Sequence, residues 1–206
     1  MNNEYDCKTP LEYQITDYDC GTTTLLNAIR FLFYRSEISP EIYKFISHHT
    51  LDICNTNGEI GKGGTSTQAL GFLSNWLNQN SIKQRMPILC TKLINNDVSI
   101  YNKFLEEKIN NGAVAILRVH QECEHYCLLT SLDSNFAYIF DPYYLEKGTY
   151  DDDNLVEMIF DKPFEYNRKI KKERLNSNSL EDFSLVTGKN GIIIIIEKIK
   201  IQKSHG

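Results

Sequence analysis

The segment GIIIIIEKI, residues 191–199, constrains the fold more than any other stretch of the chain. Its five consecutive isoleucines, Ile192 to Ile196, leave no polar face at either the helical or the strand period. Their β-branched side chains favour extended backbone. A strand with one solvated face would alternate apolar and polar residues, so an unbroken run marks a strand covered on both faces. The run ends at Glu197 and falls far short of the ~20 apolar residues that a membrane-spanning helix needs.

Three further apolar stretches read as strands: AVAILRV (113–119), HYCLLTSL (125–132) and FAYIFD (136–141). The DSN at 133–135 is a hairpin turn signal between the last two. Earlier in the chain the apolar period is helical. Leu25, Leu26, Ile29, Leu32 and Phe33 predict a helix over 20–35, with Asp17 or Asp19 capping its start. Pro40 opens a second helix over 40–49, at the position where proline fits. The loop 54–67 is rich in glycine and asparagine. Thr65 or Ser66 then caps a helix running to about Asn80, with Leu70, Leu73, Trp76 and Leu77 on its apolar side. Residues 97–111 predict another amphipathic helix ended by Gly112. Helices come first and strands later, which argues an α+β fold with N-terminal helices packed on a C-terminal antiparallel sheet. The charged stretch 150–190 shows no clear period. RKIKKER (168–174) reads there as a solvated helix face or turn, and DDD (151–153) as a solvated turn.

With 206 residues, the chain reads as a single domain that buries a core without disulfide staples. A net charge of −5 argues against a nucleic-acid partner bound through phosphate neutralisation. The N-terminus shows no basic n-region and no apolar h-region, so no secretory signal and no membrane insertion are expected. A cytoplasmic location follows as the expectation, and with it six cysteines in the form of free thiols.

One of those thiols is placed for chemistry. Cys20 stands at the mouth of the first helix, where the helix N-terminus favours a thiolate. A thiolate nucleophile needs an imidazole within reach and a group that orients it. If 125–132 and 136–141 pair about the DSN turn, opposite residues sum to about 266–268, and His125 comes beside Asp141 or its immediate neighbour. That is the arrangement of a Cys-His-Asp triad. Gln14, six residues before Cys20, supplies a side-chain amide for the oxyanion of acyl transfer. Cys123, His125 and Cys127 alternate and would share one strand face. Ligands spaced in this way splay about 7 Å apart, whereas zinc needs them converging at about 2.0–2.3 Å. No metal site and no cofactor are read from the sequence.

The order Q-x5-C-G, then H-Y-x-L-L, then F-D-P-Y resembles the papain-like fold. Within it, DYDCG, the GTS of the middle loop (64–66), HYCLL and DPYY are most similar to the bacteriocin-processing, double-glycine leader cysteine peptidases and their stand-alone relatives. The resemblance covers roughly residues 10–145. It implies one peptidase domain over 1–206, with the catalytic core at about 10–145 and C-terminal strands and a variable region at 146–206. It also implies Cys20 as nucleophile, His125 as base, Asp141 as its orienter and Gln14 as oxyanion donor. The implied substrate is a leader peptide cut after a small-residue pair, usually Gly-Gly. Association with a separate exporter is a further implication, since many relatives are the N-terminal domain of one. GKGGTS (61–66) is not a phosphate-binding loop, because Gly63 follows Lys62 where serine or threonine is required. Two other readings keep these residues: an acyltransferase that uses the same triad in a peptide or natural-product pathway, and a leader-binding module that does not cut.

Overall fold

The computed structural model describes residues 6–200. Three helices come first: α1 (Cys20–Leu32), α2 (Pro40–His49) and α3 (Thr67–Asn80). Then follow β1 (Ile88–Ile94), α4 (Lys103–Asn110), β2 (Val114–Gln121), β3 (Cys123–Leu132) and β4 (Phe136–Phe140). The chain continues through β5 (Val156–Met158), β6 (Arg168–Lys171), α5 (Lys172–Leu175) and β7 (Ile192–Lys198). The seven strands form one antiparallel sheet in the order β1-β7-β2-β3-β4-β6-β5. Five helices on such a sheet make the architecture α+β.

The isoleucine run lies inside this sheet, between β1 and β2. Strand periodicity splits it. Ile192, Ile194 and Ile196 enter the core under α1, α2 and α3, and Ile193 and Ile195 enter the opposite core with Leu105 and Ile109 of α4. All five are buried, and each such side chain contributes roughly 1.5–3 kcal/mol of transfer free energy.

Local chemistry sets several boundaries. Pro40 takes the first turn of α2. The Ser66 hydroxyl caps α3 by accepting from the Ala69 N–H at 2.9 Å. α4 begins at 103 rather than 97, because the Asn102 side chain accepts from the Phe104 and Leu105 N–H groups. Val98 and Ile100 are buried in the core ahead of it. Gly112 ends it at φ +91°, a backbone conformation natural to glycine.

The division into helices and then strands is not complete. β1 precedes α4 and forms one edge of the sheet, and α4 and α5 cover the face opposite α1–α3. The charged stretch 150–190 supplies β5, β6 and α5, which close the other edge. RKIKKER is therefore not a solvated face. Arg168 and Ile170 point inward on β6, and Arg168, Lys172 and Leu175 are buried. The charge of Lys172 meets Glu106 at 3.4 Å. Asp153 likewise leaves the solvated turn expected of DDD, since its carboxylate pairs with Arg174 at 2.7 Å. The six cysteines are all free thiols. Among the described residues no helix is long and apolar enough to cross a membrane.

Candidate active site

Cys20 is the first residue of α1 and is 8% exposed. Asp19 holds the capping position, but its side chain caps nothing. Its carboxylate turns back to accept from the N–H groups of Ile15 (3.3 Å) and Thr16 (3.1 Å), which pins the loop carrying Gln14. The first turn of α1 is thus left without a side-chain cap, and its N–H groups and positive dipole end remain open to an anion.

Gly21 explains how α1 comes so close to the sheet. A Cβ at this position would lie 2.7 Å from Thr65 Cβ and 3.2 Å from Tyr126 Cδ2. With no side chain, the helix end seats against both. Thr24 then ties it to β3, its hydroxyl donating to the Tyr126 carbonyl at 2.9 Å, one residue from His125.

The hairpin carries the other half. Near its turn the pairs Leu132↔Ala137 and Ser131↔Tyr138 sum to 269, and beyond a bulge at Thr130 the pairs Leu129↔Ile139 and Leu128↔Phe140 sum to 268. In the first register Asp141 would lie opposite Leu128, on the face away from His125. The bulge restores the parity, so that one step past the last pair Asp141 lies beside Cys127, on the same face as His125. The residues are diagonal neighbours rather than directly opposite, a separation that long side chains bridge. His125 Nε2 and Asp141 Oδ1 are 2.8 Å apart. With Nε2 turned to Asp141, Nδ1 is the ring nitrogen left toward Cys20, whose sulfur acts electrostatically on the imidazole. Burial alone would push the imidazole down, but the Asp141 carboxylate and the Cys20 sulfur outweigh it and raise His125 to about 10.

Asp141 is fully buried and surrounded by donors. Oδ1 also accepts from the Tyr143 N–H at 2.9 Å. Oδ2 faces Gln121 Nε2 at 3.5 Å and Arg168 Nη2 at 3.6 Å. The Asn167 side chain clamps the Asp141 backbone, accepting from its N–H and donating to its carbonyl, both at 2.7 Å. Gln121, Asn167 and Arg168 had no signal in the sequence beyond polarity.

Gln14 Nε2 donates to the Thr16 carbonyl at 2.8 Å. That acceptor settles the amide orientation and leaves the second N–H available. The backbone N–H of Gln14 donates to Pro142 O at 2.8 Å, which joins its loop to the segment after Asp141. Gln14, Gln121, Glu122, His125, Tyr143 and Tyr150 line a cleft of about 460 Å³. The structure thus brings His125 and Asp141 into contact, sets the Cys20 sulfur near the ring, and places Gln14 and His125 on the wall of one cleft whose lining includes neither Cys20 nor Asp141. Burial pushes Cys90 up to about 12 and Cys127 well above the ordinary thiol range. Comparison with protein-family models and with curated proteins finds no match for this chain.

Proposed function

We propose that the chain is a papain-like cysteine peptidase that cuts a peptide through a thioester. One observation carries the reading: Cys20 at an uncapped helix N-terminus shares His125 with the buried carboxylate of Asp141, 2.8 Å from the ring. The Cys20 thiolate attacks the scissile carbonyl carbon. The resulting oxyanion takes hydrogen bonds from the Cys20 backbone N–H and the free N–H of Gln14. Protonated His125 gives its proton to the leaving amine, and the C–N bond breaks to leave an acyl-thioester. His125, now neutral, takes a proton from water, whose oxygen attacks the thioester and releases the acid and the thiolate. Asp141 holds the ring orientation throughout. The sequence resemblance supports a leader peptide ending in Gly-Gly as substrate.

Brief iodoacetamide treatment at about pH 6, followed by peptide mapping, tests the site, because a thiolate alkylates far ahead of a thiol. Cys20 is expected to lead the other five cysteines, and the lead is expected to vanish in His125→Ala. Labelling no faster than that of exposed Cys7 and Cys54 overturns the reading. Mass analysis of a Gly-Gly leader peptide incubated with the protein, with and without an added amine, then separates hydrolysis from acyl transfer.

A further inference from the structure

Arg168 is among the largest fully buried side chains of the protein, at 1% exposure. Its Nη1 donates to the Asn167 carbonyl at 2.9 Å and its Nη2 to the Tyr143 carbonyl at 3.2 Å, while Nε has no hydrogen-bond partner among the described residues. Its carboxylate neighbour is Asp141, at 3.6 Å. A guanidinium with an unmet donor is a poor filler for a dry site, where an apolar side chain of similar volume packs more favourably. What it supplies is charge. The groups nearest the Asp141 carboxylate oxygens are Arg168, the Tyr143 N–H and Gln121 Nε2, all donors, and His125 Nε2, a donor when the ring is protonated. With His125 protonated, every one of them points a donor at the carboxylate.

The buried contacts therefore run His125, Asp141, Arg168, with the Cys20 sulfur acting on the ring at one end. With thiolate and imidazolium formed, the charges along this line alternate and cancel. Without Arg168 the same state would leave a net negative charge inside the protein, and a thiol in place of the thiolate would relieve it. Other groups facing this line are Tyr126 and Cys127 from β3 and Tyr150 from the segment before β5, which burial pushes toward their neutral forms, and Asp182, which accepts from the Tyr150 hydroxyl at 2.9 Å. Glu124 of β3 is paired with Arg118 of β2.

We infer that Arg168 is a positioning residue that pairs with the Asp141 carboxylate and balances the charge of the Cys20 thiolate. This rests on the reading of Cys20 and His125 as a thiolate–imidazolium pair. The test is the rate of Cys20 alkylation by iodoacetamide on the intact chain from about pH 4 to about pH 9, a window that spans activated and ordinary thiols. In Arg168→Met the midpoint is expected to rise by about one pH unit, a loss of about tenfold in rate below it, and Arg168→Lys is expected to recover most of it. A purely structural role would lower the melting temperature and leave the midpoint in place. Should Arg168→Met fail to fold, Gln121→Glu reads the same balance from the cleft side, and its midpoint is expected to rise too. An unmoved midpoint in these variants, with wild-type Cys20 activated and His125→Ala not, overturns the role of Arg168 alone. A wild-type midpoint in the ordinary thiol range overturns the pair and the role together.

Discussion

Residues 14–24 bring Gln14, Cys20, Gly21 and Thr24 together in one unbroken stretch, whereas His125, Asp141 and Arg168 arrive from β3, the end of β4 and β6. The first half is positioned by a helix end and one close approach, in which Gly21 lets the backbone reach Thr65 and Tyr126. The second depends on strand parity and on burial. His125 and Asp141 share a face because of one bulge at Thr130, and Arg168 reaches the carboxylate only because β6 pairs with β4. A local half is sensitive to a single added atom. An assembled half is sensitive to the loss of a charge partner.

The assembled half should break hardest. Asp141→Ala leaves Arg168 and protonated His125 without their carboxylate, and it is expected to lose about 3–5 kcal/mol in urea unfolding. Gly21→Ala probes the local half. The new methyl meets Thr65 Cβ, so a loss of about 1–3 kcal/mol is expected together with slower alkylation of Cys20 as the helix end moves from His125. If stability falls and alkylation is unchanged, the close approach serves packing alone.

The pH dependence of stability sharpens the contrast. His125 is raised in the folded state from 6.5 to about 10, so the stabilisation it contributes is fully present below about pH 6.5 and is lost as pH rises through about 10. Unfolding measured across that window should show the decline in the wild type and much less of it in Asp141→Asn. The smallest effect is a control outside both halves. Asn102→Ala removes the cap of α4 on the far face of the sheet and is expected to cost about 1 kcal/mol, with Cys20 alkylation unchanged.

Much of this was legible before any coordinates. The isoleucine run, the starts of α2 and α3 and the turn at 133–135 all follow from local rules, and the Cys20 to Gly21 step marked the helix that carries the thiol. The register reading of 266–268 holds at the far end of the hairpin, where pairs sum to 268, and at that sum His125 and Asp141 are diagonal rather than opposite but share a face. Asp19 misled, because an aspartate before a helix usually caps it and this one holds the preceding loop. β1, in ILCTKLI, was missed because Thr91 and Lys92 interrupt its apolar pattern at the sheet edge.

RKIKKER marks the limit of such reading. Composition treats its basic residues alike, yet Arg168 and Lys172 are buried while Lys169 and Lys171 are not. Periodicity, caps and turn residues act within a few positions of themselves, so the primary sequence is enough to specify most elements and the contiguous half of the site. Which basic side chain meets Asp141 depends on β6 lying against β4, a pairing between distant segments that reflects the burial of the whole sheet. The pairing of Asp141 with His125 and Arg168 therefore exists only in the folded chain.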